Sequence, residues 1–117
     1  MNETELKQRT KQFALRIIKL VGALPRGLEG RALGGQLIRS GTSVGANYRA
    51  ACRGRSKAEF IAKLGTVEEE ADESAYWLEL IIDAGVMKAA RVQTLLQEAT
   101  ELTTIMAASR ISASARS

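Results

Sequence analysis

Apolar residues recur every three or four positions in four separate stretches of this chain. That period puts the apolar side chains on one face of an α-helix, whereas a half-buried strand would alternate apolar and polar residues. The four stripes are Leu6, Phe13, Ile17, Leu20 and Leu24; Leu33, Leu37, Val44 and Tyr48; Phe60, Leu64, Val67, Ala71, Leu78 and Ile81; and Val92, Leu95, Ala99, Leu102 and Met106. The chain is therefore predicted to be all-α.

Turn and capping signals separate the four stripes. Pro25 and Gly27 end the first helix, and Gly85 suits the left-handed end of the third. Ser56 and Glu59 form a capping box at the start of the third helix. The predicted helices run from about 3 to 23, from 28 or 29 to about 52, from 56 or 57 to 83, and from about 88 to 109.

Five glycines make the second predicted helix the weakest of the four, because glycine disfavours a helix interior by about 1 kcal/mol relative to alanine. The sequence leaves open whether this helix is continuous through Ser40–Ser43 or has a break or kink there, where Thr42 or Ser43 could cap a fresh segment. The pairs Gly30/Gly34 and Gly41/Gly45 are spaced for close helix approach; a hinge or a docking place for another backbone is the alternative.

Short connections favour antiparallel neighbours, so the expected fold is an antiparallel up-down-up-down four-helix bundle. The stripes average about 3.5 residues per turn, which is typical of left-handed crossing near 20°. Residues 1–110 are predicted to form the single domain. Residues 111–117 are small and polar and are predicted to be a flexible C-terminal tail.

Composition limits the compartment. The single cysteine, Cys52, cannot form an internal disulfide. Charges interrupt every apolar run in residues 1–20, which argues against a signal peptide, and no stretch reaches the ~18 apolar residues of a membrane helix. These features favour a cytoplasmic protein without a membrane partner.

Catalytic groups are scarce. The chain has no histidine, which removes the commonest general base and metal ligand. The candidate nucleophiles Ser40, Ser43 and Cys52 have no base to activate them. The acidic run from Glu68 to Glu73 could form a dicarboxylate site, but a solvated or subunit-facing surface is the simpler interpretation, because di-iron bundles require Glu-x-x-His. We expect no enzymatic activity, no cofactor and no metal.

Charge is divided unevenly along the chain. Residues 1–57 hold 12 lysines and arginines against three acids, giving +9, and residues 58–117 hold five against ten, giving −5. Arginine forks suit phosphate geometry, so the basic half indicates nucleic-acid binding. The candidate residues are Arg39, Arg49, Arg53, Arg55, Lys57, Arg16 and Lys19, and Lys7 and Lys11 add charge. The alternative is that these charges are solvated or paired, with Arg39 and Arg49 contacting Glu68, Glu69 or Asp72.

Several apolar residues fall outside the stripes, among them Leu15, Ile18, Tyr76 and Trp77. They either widen the core faces or form a second buried face in a homo-oligomer. Tyr76 and Trp77 are the predicted interface anchors, with Glu69 beside them, because tryptophan and tyrosine concentrate at interface centres. Attraction between basic and acidic faces of neighbouring subunits would suit a ring.

The central half of the chain resembles a known family. The residues that carry the resemblance are Arg39-Ser40-Gly41-Thr42-Ser43-Val44-Gly45-Ala46-Asn47-Tyr48-Arg49, Arg53-Gly54-Arg55-Ser56-Lys57-Ala58-Glu59-Phe60, Leu64, Glu68-Glu69-Glu70-Ala71-Asp72-Glu73-Ser74 and Trp77-Leu78. This block resembles the bacterial four-helix-bundle proteins encoded in intervening sequences of large-subunit ribosomal RNA genes. It is also similar to the accessory variability determinant of diversity-generating retroelements.

The resemblance implies a homopentameric barrel of bundles with a nucleic-acid-associated, non-catalytic role; the retroelement branch binds a reverse transcriptase and RNA. The motif positions carried over are Arg39, Ser40, Ser43, Asn47, Arg53, Arg55, Ser56, Glu59 and Phe60. Many members have an acidic residue and glycine after the asparagine, where this chain has Arg49, Ala50 and Ala51. Two hypotheses stay open: an oligomeric accessory protein that binds nucleic acid, RNA favoured, and a protein-binding scaffold whose charge asymmetry serves docking.

Overall fold

The computed structural model describes residues 1–116, which fold into four helices: α1 (Glu3–Gly22), α2 (Leu28–Cys52), α3 (Lys57–Asp83) and α4 (Ala89–Ala115). Each helix packs antiparallel against the next, and α4 closes the bundle against α1 less extensively. The molecule measures 49 × 20 × 19 Å, so its length is set by the helices. The predicted all-α up-down-up-down bundle is confirmed.

The predicted stripes form the core. Phe13, Ile17, Leu37, Leu64 and Leu102 are fully buried, and the whole α4 stripe lies in the interior. Burial of side chains of this size stabilises the fold by roughly 1.5–3 kcal/mol each relative to exposure. The apolar period therefore identified the interior face of each helix, although Leu20, Leu24, Leu33 and Phe60 are only partly buried against the core.

The helix ends follow the capping residues. Asn2 Oδ1 accepts a hydrogen bond from Glu5 N at 2.8 Å at the start of α1. Ser56 Oγ accepts from Glu59 N at 3.1 Å, and Glu59 in turn accepts from Arg55 N at 2.8 Å, one residue before the cap. Gly85 has the predicted left-handed backbone, with φ of 68°.

α4 is longer than its apolar stripe. It continues to Ala115, beyond the end predicted at Ser109. Ala113 is buried and lies beside Phe60 and Cys52 at the end of the bundle. The apolar stripe does not predict this last part of the helix, because the buried residue there is a small alanine. The predicted tail therefore begins as helix; Ser117, its last residue, lies outside the described residues.

α2 is continuous through Ser40–Ser43, so the helix does not break there. The Thr42 and Ser43 hydroxyls lie 2.7 Å from the Ile38 and Arg39 carbonyl oxygens, so they bond back to their own helix instead of capping a new one.

Close approach of α1 explains Gly41 and Gly45 of α2. A Cβ on Gly41 would lie 2.8 Å from the side chain of Ile17, and one on Gly45 would lie 3.3 Å from Thr10 Oγ1. The Thr10 hydroxyl is buried at this crossing and donates to Leu6 O at 2.8 Å. The glycines thus allow two helices to pack with little space between them.

Candidate nucleic-acid interface

The predicted nucleic-acid-binding residues lie in three separate places. Arg49, Arg53, Arg55 and Lys57 lie where α2 turns into α3, Arg39 lies in the middle of α2, and Arg16 and Lys19 lie in the second half of α1. Because α1 and α2 are antiparallel, the second half of α1 lies beside the start of α2, towards the opposite end of the bundle. The structure therefore divides the predicted basic surface.

We call Arg49, Arg53, Arg55 and Lys57 the basic end. All four side chains are exposed, and none takes part in an ion pair among residues 1–116. Arg49 lies in the last turn of α2, where the helix dipole favours positive charge. Arg53 and Arg55 lie in the short connection between the helices, and Arg49 and Lys57 lie in the helical turns on either side of it, so all four cations are open to an external anion.

Two lysines of α1 extend this region. Lys7, Lys11 and Arg49 line a groove of about 610 Å³ between α1 and α2, together with Thr4 and Gln8. Lys7 also lies 3.1 Å from Glu3, but both side chains are exposed, so water weakens that pair. The packing of Thr10 against Gly45 sets this register, which the sequence patterns do not reveal.

Arg39 is engaged by acids of α3. Its guanidinium donates to Glu70 Oε2 at 3.3 Å and to the Glu73 carboxylate. Trp77 Nε1 donates to the same Glu73 oxygen at 3.1 Å. The interhelical pairing considered for Arg39 is thus present, but its partners are Glu70 and Glu73, because these residues lie on the edge of α3 that faces α2.

Two further arginines are neutralised on the other seams. Arg9 forms a two-pronged pair with Glu98, with both nitrogen–oxygen distances 2.7 Å, and Arg9 Nη2 lies 3.2 Å from Glu101. The hydrogen bond to Glu98 raises the pKa of Arg9. Arg110 Nε donates to Glu68 at 2.8 Å, and this bond raises the pKa of Arg110. These arginines join helices and have no free charge to offer a ligand.

Arg16 and Lys19 point towards α4. They line the groove between α1 and α4, and Arg16 Nη2 lies 3.5 Å from Thr94 Oγ1. Their side chains are exposed and belong to none of the ion pairs within residues 1–116. Like the side chains of the basic end, they form no ion pair within residues 1–116, but they lie in a different part of the molecule.

The polar, uncharged motif residues make hydrogen bonds that stabilise the fold. Ser40 Oγ and Ser74 Oγ are buried 2.9 Å apart between the two helices. Asn47 Nδ2 donates to Ser43 O at 2.9 Å, which ties the side chain to its own helix. With the Ser56 cap, these contacts account for the uncharged motif positions through structure, without any reactive chemistry.

Of the predicted interface residues on α3, Tyr76 and Glu69 are exposed, whereas Trp77 is partly buried against the core. Tyr76 is 52% exposed and meets the half-buried Trp77 edge to face, with ring centroids 5.2 Å apart. Glu69 is exposed on the same helix. On α1, Leu15 and Ile18 are 49% and 45% exposed, so these apolar side chains do not widen the core.

The candidate nucleophiles Ser40 and Cys52 lie in surroundings that do not activate them. The Ser40 hydroxyl is buried in its contact with Ser74, and burial raises the pKa of the Cys52 thiol, which favours the unreactive thiol. Within residues 1–116, no three histidine, cysteine, aspartate or glutamate side chains gather as they would around a metal ion. No helix of the described chain has the length and hydrophobicity to cross a membrane.

Comparisons with known proteins identify relatives over almost the whole chain. Residues 2–108 match the family model described as 23S rRNA-intervening sequence protein. The chain is also similar to a protein of unknown function from the S23 ribosomal protein family of Bacteroides thetaiotaomicron, whose crystal structure is known. The two sequences are 33% identical, and the two structures superpose with a TM-score of 0.85. The alignment covers 94% of this chain and 98% of that one. Comparison with curated proteins found no match.

Proposed function

Because the chain belongs to the 23S rRNA-intervening sequence protein family, we propose that it is a non-enzymatic, homo-oligomeric accessory protein that binds nucleic acid, RNA favoured, through the basic end. The observation that carries the proposal is a contrast among arginines. Arg9, Arg39 and Arg110 are paired with acids across helix seams, whereas the guanidinium groups of Arg53 and Arg55 form no ion pair within residues 1–116.

Unpaired cations grouped on one end suit a polyanion. Each phosphate that a lysine or arginine neutralises releases condensed counterions, which supplies affinity without base recognition. Lys7 and Lys11 extend the basic end along the groove beside Arg49, so the surface is larger than the turn itself. The preference for RNA rests on the family, since phosphate contacts alone do not distinguish RNA from DNA. A cytoplasmic location is part of the proposal, because the protein must share a compartment with its RNA.

The test is the affinity of the full chain for a single-stranded RNA and for the DNA of the same sequence. Changing Arg53, Arg55 and Lys57 together to glutamine should weaken RNA binding at least about tenfold, since charge-assisted hydrogen bonds contribute about 1.5–3 kcal/mol each. Arg31→Gln, at an exposed arginine in the first half of α2, is the control and should bind as the wild type does. Equal affinities for all three proteins would contradict the assignment.

Self-association is supported by two outward-facing stripes. On α1, the exposed Leu15 lies between Lys11 and Lys19 at intervals of four residues. On α3, the exposed Tyr76 lies four residues after Asp72 and seven after Glu69. A basic stripe with an apolar centre and an acidic stripe with an aromatic centre complement each other, which suits head-to-side contact between copies and closure into a ring, a pentamer by the family resemblance.

The same charge division supports the second candidate, a scaffold that docks another protein on the acidic, aromatic face of α3; a reverse transcriptase is the partner that the retroelement resemblance adds. Light scattering separates the two. If the stripes join copies, Glu69→Lys should shift the assembly towards monomer, and Lys11→Glu in the same chain should restore it. If Glu69→Lys leaves the mass unchanged, the α3 face does not join copies and is free for another partner.

A further inference from the structure

We propose that the groove between the second half of α1 and the start of α4 binds a phosphate group through Arg16, Lys19 and Arg91. The groove measures about 340 Å³, and none of the eight residues that line it is acidic. As part of an RNA site the proposal rests on the proposed function; as a site for a phosphorylated small molecule it stands alone.

The register of the α1–α4 seam carries the argument. Arg9 on α1 contacts Glu98 and Glu101 on α4. Arg16 lies seven residues, or one heptad, after Arg9 on α1. Because the helices are antiparallel, the residues of α4 that face Arg16 lie seven residues before those that face Arg9. Arg91 therefore takes the position of Glu98, and Thr94 takes the position of Glu101.

The contact that the register predicts is present. Arg16 Nη2 lies 3.5 Å from Thr94 Oγ1, as Arg9 Nη2 lies 3.2 Å from Glu101 at the equivalent position. The residue equivalent to Glu98, however, is another arginine. The same geometry that neutralises Arg9 thus brings Arg16 beside Arg91.

Lys19 adds a third cation to the same groove. Like charges that share a concave surface repel one another, and an anion between them removes that repulsion. The side chains of Leu20, Met87 and Leu95 form apolar walls, which strengthen the attraction between the cations and a bound anion.

The start of α4 favours the same sign of ligand. Its first turn carries no acid, and Lys88 at the N-cap makes no side-chain cap hydrogen bond. The helix dipole therefore adds positive potential where Arg91 enters the groove. A tetrahedral phosphate matches this arrangement, since two guanidinium forks and a hydroxyl can each donate to a different oxygen.

Arg91→Glu separates loss of binding from loss of fold, because a variant that only loses binding should have a raised melting temperature and a misfolded one a lowered melting temperature. The substitution places an acid where Glu98 stands one heptad away, so it should pair with Arg16 and raise the melting temperature in chloride buffer. Arg31→Glu makes the same change of charge on the exposed side of α2, away from the groove, and is the matched control.

Two probes separate the sources of the phosphate. Inorganic pyrophosphate, titrated against chloride at equal ionic strength, should bind the wild type and Arg31→Glu saturably and bind Arg91→Glu at least about tenfold more weakly. Single-stranded oligouridylate is the second probe. If Arg91→Glu also weakens oligouridylate binding, the groove holds a phosphate of the nucleic-acid backbone; if it does not, the groove serves a phosphorylated small molecule.

The proposal is overturned if pyrophosphate binds the wild type no better than chloride does, or if a folded Arg91→Glu keeps the affinity. Pyrophosphate binding with no binding of oligouridylate would support the groove while contradicting the proposed RNA-binding function. If oligouridylate binding depends on Arg53 and Arg55 but not on Arg91, and pyrophosphate does not bind, the proposed RNA-binding function is supported and the groove proposal is contradicted.

Discussion

Arg9 and Glu98 form a two-pronged ion pair across the seam between the first and last helices, with both nitrogen–oxygen distances 2.7 Å. Their side chains are 23% and 15% exposed, so the pair is largely shielded from water. It lies on the helix contact that is least extensive in the bundle. The pair therefore closes the ring of helices with a charged contact at the seam that has the least packing.

Arg9→Ala should lower the free energy of unfolding by about 1–3 kcal/mol, since it leaves the partly buried Glu98 without its charged donor. Urea unfolding of Arg9→Ala, Glu98→Ala and the double variant would give the coupling between the two side chains. Lys7→Ala, at the exposed pair with Glu3, is the control and should change stability by less than about 1 kcal/mol. Additive effects of the Arg9 and Glu98 substitutions would show that the pair contributes little.

Two glycines of the second helix should respond oppositely to alanine. Gly41→Ala should destabilise the fold by about 1–3 kcal/mol, because its Cβ would meet the Ile17 side chain at 2.8 Å in a packed interior. At Gly35 a new Cβ would have no atom within 4 Å, so Gly35→Ala should stabilise the fold by up to about 1 kcal/mol through the higher helix propensity of alanine. Thermal unfolding of the two variants is the measurement. Similar shifts for both would mean that the helices do not approach as closely as described.

Tyr48 should make the protein less stable at high pH. Burial, with a lesser contribution from the Cys52 thiol, raises the pKa of the phenol above its ordinary value of 10.0. The folded protein then holds a proton that the unfolded chain releases, so stability is fully present below about pH 9 and falls as the pH passes 10. Urea unfolding at several pH values should show a smaller decline for Tyr48→Phe than for the wild type. Identical declines would contradict a buried, protonated phenol.

Much of the fold follows from local patterns. The apolar period identified the buried face of every helix, and Ser56 and Gly85 mark helix ends by the same capping chemistry that the sequence indicates. Local patterns left open whether α2 is continuous, because its glycines disfavour a helix when considered alone. The reason for Gly41 and Gly45 is a distant contact, since both lie against α1.

The candidate site was less predictable, because charge counts do not say which cations have partners. Arg39 and Arg53 are equally basic in the sequence, but Arg39 reaches Glu70 and Glu73 while Arg53 lies on an open turn. The place of Arg91 was unpredictable for a similar reason. Its importance depends on the register between α1 and α4, which only the folded chain provides.

The salt dependence of RNA binding tests the central claim most directly. Fluorescence anisotropy of a labelled single-stranded RNA across a range of salt concentrations gives the slope of log affinity against log salt. Replacing Arg53 and Arg55 with glutamine should reduce that slope by about 1.4, or about 0.7 for each phosphate that is no longer neutralised. Arg39→Gln removes the same kind of charge from a paired site and should leave the slope unchanged. A slope that is the same in the wild type and the Arg53/Arg55 variant, or that falls as much for Arg39→Gln, would contradict the assignment of RNA binding to the basic end.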